Sequence, residues 1–204
     1  MGGTMTAEPA PQMNEINWPV PPPDGYTVDD LLTLPDLPPH TELIDGSLVF
    51  VSPQRNFHAD VIDLLVSGLR ATAPWDRLRV KREMTVVLNR RNGPEPDISV
   101  VKADAVVGPD QSRYQAADVV LAVEVVSPDS EARDRDTKPR KYAAAGIPHF
   151  WLVERAGEGM HPVVRVYELD PVAKGYTLRG NFHGRLTLDE PFGIDIDLTA
   201  VDDL

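Results

Sequence analysis

Two acidic residues stand inside apolar runs: Asp97 in Pro96-Asp97-Ile98-Ser99-Val100-Val101, and Glu124 in Val119-Val120-Leu121-Ala122-Val123-Glu124-Val125-Val126. Runs this rich in Val, Ile and Leu read as strands buried on both faces. A carboxylate inside such a strand is costly unless a cation, a proton or hydrogen bonds compensate it. A segment bearing Lys138 and Lys141 follows. Hard divalent ions such as Mg²⁺ or Mn²⁺ take carboxylate, carbonyl and water oxygens, and a nearby lysine stabilises charge developing on a phosphate oxygen. The chemistry implied is metal-dependent hydrolysis of a phosphodiester. Each residue also has a plainer reading: a turn-forming aspartate, an arginine-paired structural glutamate, and two lysines on a solvated helix surface.

The acids converge only if their strands, near 97–101 and 118–126, are neighbours. Pro96 fits the first residue of a strand, where its missing N–H interrupts the ladder least. Between the two strands lies a polar connection containing Tyr114, expected to hold a short helix. After Ser127-Pro128, the charged segment 129–145 should be helical in its second half and stop at Gly146, with Pro148 beyond. Phe150-Trp151-Leu152-Val153 is then the next strand, so that strand, helix and strand form a βαβ crossover.

Further elements frame this unit. Thr27 caps a short helix ended by Pro35, Pro38 and Pro39. Residues 42–51 read as a hairpin around Asp45-Gly46. Val61, Leu64, Leu65, Gly68 and Leu69 mark a helix from Asn56, its N-cap, to about Thr72. Leu78 to Leu88 is extended, with alternation slipping near Arg82 and Glu83 as at a bulge, and Asn89 to Gly93 turns. Residues 163–169 and 176–179 pair antiparallel, and 185–204 hold a strand and an ordered tail.

A chain of 204 residues suits one α/β domain. Residues 1–24, with six prolines between Pro9 and Pro23, are expected to form a disordered tail, and 25–204 the folded domain. The absence of cysteine removes disulfides, zinc-thiolate sites and thiol nucleophiles. With no apolar signal core and no membrane-length segment, the expected location is cytoplasmic, with no membrane partner. The net charge of −12 argues against non-specific nucleic-acid affinity. Against it, Arg70, Arg77, Arg79, Lys81, Arg82, Arg90 and Arg91 form a local basic stretch that reads either as a backbone contact or as a solvated strand.

Glu-Leu-Ile-Asp-Gly at 42–46, His58 at a helix start, Pro-Asp at 96–97, Val-Glu-Val-Val-Ser-Pro at 123–128, then Lys138, Tyr142, Gly146 and Phe-Trp-Leu-Val at 150–153 occur in the order found in a known family. Over Leu31 to Leu204 the chain resembles the bacterial Uma-two family of "putative restriction endonucleases", within the PD-(D/E)XK nuclease superfamily. The resemblance implies a restriction-endonuclease-like α/β fold, a central mixed β-sheet flanked by α-helices. It implies that Asp97, Glu124 and the main-chain carbonyl of Val125 hold Mg²⁺ or Mn²⁺. Glu42 matches an early acidic position that binds a second ion or orients water, and His58 matches a recurring histidine. The superfamily's lysine two residues after the glutamate is replaced by Val126, and Lys138 is the matching helix-borne position, with Lys141 the fallback. Pro139 disfavours α geometry at Lys138. Tyr142 shares its helix face and is expected to pack against the sheet. The implied activity is endonucleolytic cleavage of nucleic acid, with DNA the expected substrate and a homodimer the expected assembly. Two other readings stay open: a catalytically inactive nuclease-like binding module, and a metal-independent carboxylate-pair hydrolase acting on sugars.

Overall fold

In a computed structural model the described residues are 20–155 and 161–204; the proline-rich tail expected over 1–24 lies, as far as residue 19, outside them. The elements run α1 (Val28–Thr33), β1 (Glu42–Ile44), β2 (Ser47–Val49), α2 (Asn56–Thr72), β3 (Leu78–Arg82), β4 (Thr85–Val87), β5 (Ile98–Lys102), β6 (Arg113–Gln115), β7 (Val119–Val125), α3 (Lys138–Ala144), β8 (His149–Arg155), β9 (Pro162–Asp170), β10 (Gly175–His183), β11 (Arg185–Leu188) and β12 (Ile194–Asp197). A six-stranded sheet of order β10-β9-β8-β7-β5-β3 forms the frame. β7 and β8 are parallel and every other neighbouring pair is antiparallel. The sheet is therefore mixed, and β7-α3-β8 is the expected crossover.

Each face of the sheet carries its own core. Val61, Ile62, Leu65, Val66 and Leu69 of α2 pack on Ile98, Val100, Leu121, Val123, Trp151 and Val164. Tyr142 and Ile147, on and just after α3, pack against Val101, Ala122, Phe150 and Leu152 on the opposite face. Strands covered on both sides need apolar residues throughout, which is why β7 reads as an unbroken hydrophobic run. The β5–β7 register shifts between Val100 and Val101, whose partners are Leu121 and Val119, so Val120 is an extra residue. That bulge inverts the alternation of β7, with Val119 and Ala122 in one core and Leu121 and Val123 in the other. Glu124, two residues after Ala122 in the regular part of the strand, lies on the α3 face.

Several local expectations change. The stretch 78–88 is two strands: Glu83 adopts φ +49°, β3 ends the main sheet, and β4 leaves to pair in parallel with β6. Tyr114, expected in a helical connection, is buried in β6, with single 3₁₀ turns at Ala103–Ala105 and Ala116–Asp118. The N-cap of α2 is Arg55, without a side-chain cap; Asn56 is already helical. The C-terminal region forms a β11–β12 hairpin before a 3₁₀ segment. Elsewhere the local chemistry of the sequence is what folds: Thr27 and Asp30 form a reciprocal capping box, and Asp45 and Gly46, at φ +52° and +80°, make the β1–β2 turn. Gly146, at φ +85°, ends the helix. Among the described residues no helix is long and apolar enough to cross a membrane.

Gly68 lets α2 settle on the β11–β12 hairpin. A Cβ built there would meet Ile196 Cγ1 at 2.6 Å and Cδ1 at 2.7 Å, and Ile196 is buried. Gly68→Ala should therefore lower stability by about 1–3 kcal/mol despite alanine's better helix propensity. Ile196→Val in the same chain should recover part of the loss in urea denaturation.

Candidate metal-dependent active site

The pairing Ile98↔Val123 sets Asp97, just before β5, beside Glu124 near the end of β7. Asp97 Oδ2 accepts a hydrogen bond from the Val125 N–H at 2.6 Å. His58, the first member of the buried stripe of α2, places Nε2 3.3 Å from Asp97 Oδ1. Glu42 arrives from β1, which is tied in by reciprocal Leu43–Gly93 backbone bonds of 2.9 and 3.1 Å. Glu42 Oε1 accepts from the Glu95 N–H at 2.8 Å.

Lys138 enters from the helix side. Its Nζ is 2.9 Å from Glu124 Oε2, 2.9 Å from Glu42 Oε1 and 3.3 Å from Asp134 Oδ1. Against the expectation from Pro139, Lys138 has α geometry, φ −64° and ψ −46°, at the first position of α3; the chain reaches it by a wide turn, since Arg133–Thr137 is π-helical and the Lys138 N–H donates to the Arg133 carbonyl five residues back. A proline in a helix lacks a donor and collides with the carbonyl four residues earlier, and a π turn loosens that contact. The helix thus passes through Pro139 with Lys138 facing the sheet. Tyr142, one turn on and fully buried, donates from its hydroxyl to Glu124 Oε1 at 2.5 Å.

Three buried carboxylates, Glu42, Glu124 and Asp134, thus meet one ammonium, and Asp97 adds a fourth buried acid beside Glu124. Burial pushes the Glu124 carboxyl well above its ordinary range; Lys138 pulls it down, while Asp134, Asp97 and Glu42 add to the rise. Burial raises Asp134 likewise, against the pull of Lys138. For Lys138 burial acts downward, but the surrounding carboxylates, Glu124 first, outweigh it and hold the ammonium well above its usual value. Glu95 on the rim is raised by burial, against a bond of 2.5 Å from His40. The cluster holds more acid than its one lysine neutralises, a donor set of oxygens suited to a hard divalent cation. Among the described residues no three acidic or histidine side chains stand in a ligating arrangement. Their oxygens turn instead to Lys138, Tyr142 and the Val125 N–H.

The cluster opens into a cleft of about 50 Å³. Of the residues singled out in the sequence, Asp97, Glu124, Glu42, His58 and Lys138 line it. Lys141 does not: its Nζ lies 2.5 Å from Asp45 Oδ1 at the β1–β2 turn. The basic stretch is also elsewhere. Arg82 pairs with Asp63, Arg91 donates to the Asp45 carbonyl at 2.8 Å, and Lys81 lies 6.0 Å from the Tyr114 ring centroid. β3 is an edge strand, where cations discourage pairing with another sheet. Asp134 was not anticipated. Its only sequence signal is its place four residues before Lys138, on the same helix face.

The fold is that of a nuclease-like α/β domain. A "putative nuclease belonging to DUF820" from Anabaena variabilis superposes with a TM-score of 0.66 at 18% identity, covering 87% of this chain and 97% of that one. The sequence profile of the Uma2 family, described as "Putative restriction endonuclease", matches residues 28–200, and the chain belongs to that family. Comparison with curated proteins returned no match.

The charge balance has a measurable consequence. Removing the ammonium by Lys138→Met strands buried carboxylates and should cost about 3–5 kcal/mol at pH 8. Without that cation the folded pKa values of Glu124 and Asp134 rise further above their unfolded values, so the folded state holds more protons and stability falls as pH rises. The gap between variant and wild type in urea melts of the metal-free protein should therefore narrow from pH 8 to pH 5.

Proposed function

We propose that this protein is a metal-dependent endonuclease that hydrolyses phosphodiester bonds of nucleic acid, with DNA its substrate. The observation that carries the reading is the convergence of Asp97 and Glu124, from adjacent strands, on a cleft whose buried acids outnumber their one lysine. A polyanionic substrate would be repelled by this cleft unless a cation joined it. Asp97, Glu124 and the Val125 carbonyl are the residues that would hold Mg²⁺ or Mn²⁺. Such an ion, when bound, lowers the pKa of water and neutralises charge on phosphate.

The protein's own groups have distinct tasks. Lys138 meets three carboxylates at rest. In the reaction it turns an N–H toward the scissile phosphate and stabilises the charge that develops there. Glu42 and Asp134 position that ammonium and hold its charge. Tyr142 fixes the Glu124 carboxylate through its hydroxyl, and His58 orients Asp97. Cleavage of both strands of a duplex calls for two such sites, which makes a homodimer part of the proposal.

The test is calorimetric Mn²⁺ binding alongside cleavage of plasmid DNA, single-stranded DNA and RNA. Wild type should bind Mn²⁺ saturably and cut at least one substrate only with the ion. Asp97→Ala and Glu124→Ala, confirmed as folded, should lose both properties. Lys138→Met should keep metal binding but lose about 10²- to 10³-fold in kcat. Metal binding without cleavage of any substrate would favour the inactive binding module instead.

A further inference from the structure

Two arginines along this cleft lack the partners that its acids would be expected to give them. Arg133, at the start of the π turn, lines the cleft, and its Nε is buried without a hydrogen-bond partner. Arg55 lines the cleft as the uncapped N-cap of the 17-residue helix α2. Among the described residues neither guanidinium takes part in the ion pairs that engage Arg82, Arg135, Arg140, Arg165, Arg179 and Arg185.

The start of α2 carries a second observation. His58 is 6% exposed and its Nδ1 is buried without a partner. It borders both the carboxylate cleft and a neighbouring groove of about 270 Å³. Arg55, Ser127 and Pro128 line both as well, so the two are continuous. The groove also contains half-buried Phe57, with the Arg155 guanidinium 5.8 Å from its ring centroid. Cationic guanidinium groups, the positive end of a helix and an aromatic face together suit a polynucleotide strand, through its phosphates and one base.

We propose that Arg133 and Arg55 form a phosphate clamp on the nucleic-acid strand, which runs from the carboxylate cleft into the adjoining groove beside Phe57. The clamp rests on the nuclease reading and deepens it by giving the strand a path. Arg55 and Arg133 hold the phosphates flanking the scissile one, and are positioning residues. The basic edge strand β3 takes no part in this path.

Fluorescence anisotropy of labelled oligonucleotides, single-stranded and duplex and roughly ten nucleotides long, tests the clamp with Ca²⁺ as the divalent ion. Arg55→Gln, at an exposed position, and Arg133→Gln should each weaken binding about tenfold or more. Each should also flatten the slope of log affinity against log salt by about 0.7 to 0.9 for the lost phosphate contact. Arg133→Lys should restore part of the affinity, and Arg79→Gln on β3 should bind as wild type does. If wild type binds and both glutamine variants match it in affinity and salt slope, the clamp is overturned while the nuclease reading stands. If wild type neither binds nor cuts any nucleic acid, both are overturned.

Discussion

Lys138 is an ammonium buried among carboxylates that reach it from three separate parts of the fold: Glu42 from β1, Glu124 from β7, and Asp134 from the turn ahead of its own helix. Its charge makes the buried acids tolerable, and their charge keeps the lysine protonated. The peripheral β1–β2 hairpin is held to the sheet partly through this contact, and α3 is oriented by it. Buried ion clusters are weak contributors to net stability because desolvation offsets much of the attraction. Their value here is orientational: only one placement of the hairpin, sheet and helix satisfies all the charges together.

The chain as a whole is strongly acidic, and the cleft concentrates that property. An enzyme acting on a polyanion would ordinarily present a basic surface. Here the acids create local demand for a cation, while Arg55 and Arg133 supply guanidinium groups at the cleft itself. In the dense basic stretch near β3, Arg82 pairs with Asp63, Arg91 with the Asp45 carbonyl, and Lys81 lies by the Tyr114 ring. Local pairing decides what a charged residue can do, and a count along the sequence does not reveal it.

Much of the fold was legible because it rests on short-range signals. The Thr27 cap, the Asp45-Gly46 turn, the stripe of α2 and the glycine stop after α3 are chemistry visible within a few residues. The acids of the site were legible for the opposite reason, since carboxylates in apolar strands contradict their surroundings. What was hidden depends on tertiary geometry. Asp134 looks like any charged residue of a polar helix until the π turn rotates it inward beside Lys138. Tyr142 was placed on the correct face, but its bond to Glu124 requires knowing how closely α3 approaches β7. The break at Glu83 looked like a bulge because both halves alternate, and only their partners in space show that they belong to different sheets. Lys141 and Lys138 cannot be ranked by sequence position alone; the Asp45 turn claims one of them.

The extra residue at Val120 separates the two ends of β7. Side chains of a strand fall alternately on two sides, and the bulge lets Val119 and Leu121, two residues apart, face opposite cores. Beyond it the regular pairs Val100↔Leu121, Ser99↔Ala122 and Ile98↔Val123 fix the side on which Glu124 falls. A chain one residue shorter at Val120 would restore plain alternation and leave Val119, Ala122 and Glu124 facing α3 as before. The strand therefore carries its slack ahead of the acidic cluster: a change of length at Val120 is absorbed there, and the parity of the residues that meet Lys138 is kept.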